Sequence, residues 1–154
     1  MPQIHLIETR DKAKKLVLNK LYPIDDPILL LINSHLLIES LLYKFVQTKV
    51  ENPKDLEGAK LTFHQIRCLA KSLRKRNKEE DWIWGILKEL NSIRNALAHN
   101  IEVVDLSERI NTLIEKGENK INIHWPNADP KEREAKKLNY FMIILCGIVF
   151  NLSD

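Results

Sequence analysis

An all-α helical bundle is the architecture this sequence predicts, and three observations predict it. Apolar residues recur at three- and four-residue spacing along most of the chain, the period of an amphipathic helix. Only four glycines and six prolines occur in 154 residues, too few for the many tight turns of an all-β fold. Strict alternation is confined to Ile121-Asn-Ile-His-Trp125, which reads as one short strand near 121–125. The length suits one hydrophobic core, and no repeat, low-complexity tract or linker divides the chain. A single domain over 1–154 with five to six up-and-down helices is therefore expected.

The elements follow in order. A lysine-rich first helix spans about 7–21. Asp26 as N-cap with Pro27 in the first helical position opens the second, which runs to about Val50. This helix is the most apolar of the first half, with Leu29, Leu30, Ile32, Leu36, Leu37, Leu41 and Phe45. Asn33, Ser34, His35, Glu39 and Ser40 interrupt it. The segment 51–60 holds Pro53 and Gly58 and reads as a loop. A third helix fits 62–73, with Phe63, Ile66, Leu69, Ala70 and Leu73 on one face. A fourth fits about 81–98. Asp105-Leu-Ser-Glu108 has the spacing of a capping box for a short helix that Gly117 closes. Asp129-Pro-Lys-Glu132 repeats that spacing and opens the last helix, strongly apolar from Leu138.

Composition narrows the function classes. Twenty-four basic against 21 acidic residues leave a net charge of +3, compatible with a nucleic-acid partner but not diagnostic of one. Cys68 and Cys146 sit in apolar helical patterns and read as buried free thiols of a reducing compartment. No Cys/His grouping has zinc spacing, and no glycine-rich phosphate loop or nucleophile elbow is present. Neither a cofactor nor a metal is expected. The N-terminus lacks a secretory pattern, and the apolar run from Phe141 to Phe150 is about half of the ~20 residues that cross a bilayer. The chain reads as cytoplasmic, with no membrane partner.

The fourth helix carries the strongest functional signal, in Leu90-Asn-Ser-Ile-Arg-Asn-Ala-Leu-Ala-His-Asn100. On a wheel of 100° per residue, Ile83, Ile86, Leu87, Leu90, Ile93 and Leu97 fall within about 60° of Leu90. Arg94 falls inside the same stripe, where a guanidinium requires a partner. Glu39 of the second helix is the expected carboxylate. His99 lies about 140° from Arg94 around the helix, so one copy does not bring the two together, whereas a second copy does. Asn100 is the expected terminator, in the left-handed conformation.

Two further groups stand out. Arg67, Lys71, Arg74, Lys75, Arg76 and Lys78 form a basic run followed by Trp82 and Trp84, a composition suited to single-stranded RNA or to a solvated helix end. His35 and Glu39 lie four apart on one face and read as a polar pair within the core, since a metal site needs further ligands.

Arg94-Asn95-x-x-x-His99 resembles the Arg-(polar)-x-x-x-His motif of the HEPN superfamily of small helical-bundle domains. Ser34-His-Leu-Leu-Ile-Glu-Ser-Leu-Leu42 and Leu61-Thr-Phe-His-Gln-Ile-Arg-Cys-Leu-Ala70 are similar to preceding helices in that superfamily and in mannitol operon repressor-like proteins. The resemblance spans about residues 28–103. It implies a HEPN-like bundle that dimerises and, for catalytic members, a metal-independent endoribonuclease that leaves 2′,3′-cyclic phosphates. His99 would then carry the acid–base step, Arg94 would meet the phosphate and Asn95 would orient one of them. Such enzymes serve as toxins or in phage defence. Mannitol repressor-like members imply the alternative: a non-catalytic regulator, antitoxin or immunity protein that works by contact with a cognate protein. A HEPN subset has a modifiable tyrosine two residues after the histidine; here Ile101 occupies that place.

Overall fold

The computed structural model describes residues 11–100, 102–121 and 129–152, with side chains from 17 onward and at Lys15. Among them are six α-helices: α1 (Asp11–Leu21), α2 (Pro27–Lys49), α3 (Phe63–Leu73), α4 (Asp81–His99), α5 (Leu106–Glu118) and α6 (Pro130–Asn151). Short 3₁₀ turns occupy Pro53–Leu56 and Lys78–Glu80. The all-α bundle expected from the periodicity is what forms. The candidate strand at 121–125 falls almost wholly outside the described residues.

Local chemistry sets the helix starts. Asp26 accepts from the Ile28 amide at 2.9 Å and Asp129 from the Lys131 amide at 3.2 Å, each followed by proline in the first turn. Thr62 and Gln65 close a reciprocal capping box on α3, at 3.2 and 2.9 Å. The box expected at Asp105 does not form: that residue is left-handed (φ 66°) and makes no side-chain cap. Nor does Gly117 terminate α5. It is buried one residue inside the helix, against the Phe141 ring, where a Cβ would clash.

Side-chain contacts fix the helix directions. His35 stacks on Phe63 at 4.2 Å, while Phe45 and Leu73 line one cleft further along, so α2 and α3 run the same way. Residues 50–62 return along the bundle to permit this, and strict up-and-down alternation is interrupted there. A connection of that length is what parallel neighbours need. His35 Nε2 lies 3.0 Å from Asn91 Oδ1, Arg67 reaches the Trp84 carbonyl and Arg74 reaches Glu80. The helix α4 therefore runs against both α2 and α3, and Arg94 to His99 lie level with the start of α2.

The core draws on all six helices, with Leu31, Ile38, Leu42, Leu87, Leu90, Ile93, Leu113 and Phe141 fully enclosed. Buried Asn139 of α6 donates to the Leu21 and Ile24 carbonyls at 3.0 and 2.7 Å, satisfying the tight turn between α1 and α2. By length and composition α2 is apolar enough to cross a membrane. Here it is packed, burying Leu30, Leu31, Ser34, His35, Ile38, Leu42, Phe45 and Val46. Its remaining face exposes Leu29 (50%), Ile32 (36%) and Leu36 (52%) as one apolar strip.

Candidate functional site

The motif helix is held in register by polar contacts set into its apolar interface. Asn91 meets the buried His35, and Arg109 of α5 donates to Ser92 Oγ at 2.9 Å and approaches Glu89 at 3.5 Å. One turn beyond Asn91, Arg94 is only partly buried, and its Nη1 donates to Asn95 Oδ1 at 3.2 Å. Asn95 and His99 are exposed. His99 is the last residue of α4, and Asn100 after it is extended (φ −132°, ψ 129°) rather than left-handed. Among the described residues His99 makes no hydrogen bond or ion pair, and no carboxylate lies within 4 Å of Arg94.

The expected pairing of Arg94 with Glu39 is thus replaced by the contact with Asn95, for a geometric reason. In antiparallel helices Glu39 lies about 6 Å along α2 on one side of the His35–Asn91 contact. Arg94 lies about 4.5 Å along α4 on the other side. The guanidinium reaches water at the bundle's end, so it needs no buried counter-charge. Nor does His35 pair with Glu39. Its partner is Asn91, and its Nδ1 is buried without a partner among the described residues. Burial, reinforced by the Arg94 cation, lowers its pKa despite the opposing influence of Asn91 and Glu39. The ring is therefore a neutral core group.

The basic run divides into two kinds of residue. Arg67 is buried, directed at the Trp84 carbonyl (3.5 Å) and His64 Nδ1 (3.1 Å). Arg74 is a structural clamp, donating to Glu80 through Nε (2.6 Å) and Nη2 (2.8 Å) and to the Leu152 carbonyl through Nη1 (2.7 Å). Lys71, Lys75, Arg76 and Lys78 are exposed. Trp84 is buried and Trp82 half-buried, so neither stands out as a free stacking platform. Cys146 is buried, with its thiol pKa pushed far up by burial. Cys68, expected to be buried, is exposed because its position on α3 faces outward, 3.8 Å from His64 Nε2.

Among the described residues no three His, Cys, Asp or Glu side chains are grouped as a metal site. Sequence reasoning missed the His35–Phe63–Asn91 contact, whose signal was an asparagine on the α4 face beside a histidine in the apolar α2. It also missed the Thr62-x-x-Gln65 box. Compared with protein-family models, curated proteins and solved structures, the chain matches none.

Proposed function

We propose that this chain is a metal-independent endoribonuclease of the HEPN type, acting in the cytoplasm as a homodimer on single-stranded RNA, in a toxin or phage-defence role. The observation that carries the reading is the state of the motif side chains at the end of α4. Among the described residues, Arg94 has no carboxylate beside it and donates to Asn95, and His99 is an exposed imidazole without a partner. A guanidinium left unneutralised suits a phosphate, and an accessible histidine suits proton transfer. His99 removes the proton of the RNA 2′-hydroxyl or delivers one to the departing 5′ oxygen. The 2′ oxygen attacks phosphorus, the P–O5′ bond breaks, and the products are a 2′,3′-cyclic phosphate and a 5′-hydroxyl. Arg94 stabilises the charge that builds on the phosphoryl oxygens, and Asn95 holds the guanidinium.

A second copy is needed because Arg94 and His99 point to different sides of one helix. The apolar strip of Leu29, Ile32 and Leu36 lies in the first half of α2, level with this end of α4, and a second copy docking there brings two motifs together. The same strip favours the second reading, a non-catalytic regulator, antitoxin or immunity protein whose apolar face receives a cognate protein.

The deciding experiment is cleavage of labelled single-stranded RNA in excess EDTA by the wild type and His99→Ala. His99 is exposed at a helix end, so the variant folds normally. The expected loss of rate is ~10²–10⁴-fold, with cyclic phosphate on the wild-type products. Activity that requires a divalent metal, or equal rates for the two proteins, refutes the mechanism. Absence of cleavage by a folded dimer across several RNAs favours the regulatory reading.

A further inference from the structure

The polar side of α4 does not stop at the motif. At 100° per residue the exposed Asp81, Lys88, Asn95 and His99 fall within about 40° of one another, forming one strip along the helix. At its far end the strip meets a groove of about 520 Å³ between the end of α3 and the start of α4. Cys68, Lys71, Lys75, Arg76 and Trp84 are among its lining residues. Arg74 and Glu80 also line it but neutralise each other, so among the described residues three cations without an ion-pair partner face one uncompensated carboxylate, that of Asp81. Residues 74–77 form a strap outside the helices, extended at Arg74 (ψ 140°) and Asn77 (ψ 114°), that the Arg74 clamp fixes in place. Among the described residues, the backbone N–H groups of Lys75, Arg76 and Asn77 make no hydrogen bond, adding three donors beside the cations.

We propose that this groove is a binding site for single-stranded RNA, in which Lys71, Lys75 and Arg76 hold backbone phosphates and the strand continues along α4 to His99. One row of cations follows one phosphate backbone, whereas a duplex presents two. The groove rests on charge and free donors alone; its link to His99 rests on the ribonuclease reading. Trp84 and His99 are fifteen residues apart, about 22 Å along the helix axis. At ~3.4 Å per nucleotide of stacked strand, that is about six nucleotides, so short RNAs cannot engage both ends.

Binding is tested with a fluorescein-labelled oligouridine of about twelve nucleotides, in EDTA, on a His99→Ala background so that the strand stays intact. Replacing Lys71, Lys75 and Arg76 together by Gln, all exposed and thus neutral to folding, lowers the salt-dependence slope by about 2 and weakens binding roughly 100-fold at ~0.1 M salt. This follows from ~0.7 counterions released per phosphate contact on a single strand. Cys68 is an internal reporter, since bound RNA slows its alkylation by a neutral reagent while buried Cys146 stays unreactive. An unchanged slope in the triple variant, an unaltered Cys68 rate, or equal affinity for a duplex overturns the proposal. In the cleavage assay, the wild type prefers the longer strand over a tetranucleotide, and the triple variant loses that preference. Binding that follows these expectations in a protein that never cleaves upholds the groove and refutes the catalytic reading instead.

Discussion

Replacing Arg74 by Met separates structure from RNA contact within the basic run. The guanidinium makes two bonds to the Glu80 carboxylate and one to the Leu152 carbonyl, an otherwise orphaned acceptor at the end of α6. Methionine keeps much of the aliphatic stem, so the loss is chiefly of these bonds. Removing one partner of a fully buried pair costs ~3–5 kcal/mol, and charged hydrogen bonds contribute ~1.5–3 each. Here both side chains keep about a quarter of their surface in water (25% and 23%), so the orphaned carboxylate is resolvated and the cost falls to about 2–3 kcal/mol. Urea denaturation should show a lower midpoint with an unchanged m-value. The acid limb gives a second readout. Hydrogen bonding to Arg74 holds the Glu80 carboxyl below its ordinary 4.5 in the fold, so its contribution is full above that value and lost as pH falls through the folded pKa. That component of acid sensitivity should be absent from Arg74→Met. A variant within 0.5 kcal/mol of wild type refutes the clamp, and lost RNA affinity at full stability shows that Arg74 contacts the ligand instead.

Arg94→Ala should cost at most about 1 kcal/mol, because the residue is only partly buried and, among the described residues, its one hydrogen bond is the exposed one to Asn95. Lost activity in a variant of near-native stability then reports on chemistry, and a cost of ~3 kcal/mol or more shows a buried pair after all. Gly117→Ala should destabilise by ~1–3 kcal/mol, since the new methyl meets the enclosed Phe141 ring. Gly85→Ala, with nothing within 4 Å, should stabilise α4 by up to ~1 kcal/mol, and equal effects in thermal melts would contradict this packing. The His35 imidazole should titrate below its ordinary 6.5, because burial disfavours its cation. Its contribution is full above pH 6.5 and declines as pH falls through the folded pKa; an NMR titration midpoint at or above 6.5 rules this out.

Most of the bundle was legible because its helices carry their own punctuation. Asp26-Pro27 and Asp129-Pro130 mark two starts to the residue, and the Leu90 stripe of α4 is buried as its period predicts. The failures have a common origin. Spacing specifies which residues share a face but not which face meets which neighbour. Glu39 and Arg94 each fall beside an apolar stripe on their own helical wheel, yet both are only partly buried and the antiparallel register puts them on opposite sides of His35. Cys68 fits an apolar pattern but sits on the outer edge of α3. Asp105-x-x-Glu108 has capping-box spacing, but a left-handed backbone at Asp105 turns the carboxylate away from the amides it would cap. No acidic residue interrupts the basic run, yet Arg67 turns inward to the Trp84 carbonyl and Arg74 into the clamp, while Lys71, Lys75, Arg76 and Lys78 face water.

That register is the physical link between fold and site. The interface of α2 with α4 is mostly apolar, and an apolar interface alone leaves neighbouring helical registers close in energy. His35 breaks the degeneracy. Its ring stacks on Phe63 and its Nε2 meets the partly buried Asn91, and sliding α4 by one turn would break that contact and leave the buried imidazole nitrogen unpaired, at ~1–3 kcal/mol. The neutral state of the imidazole belongs to the same device, since protonation would put an uncompensated charge between the helices. With α4 fixed by Asn91, Arg94 comes to rest one turn further on, where the bundle thins and its guanidinium meets water. His99 then falls at the helix end, level with the start of α2. A one-turn slide toward the core would enclose Arg94 and place its charge where only a carboxylate could stabilise it. The availability of the cation thus follows from a histidine that never touches it.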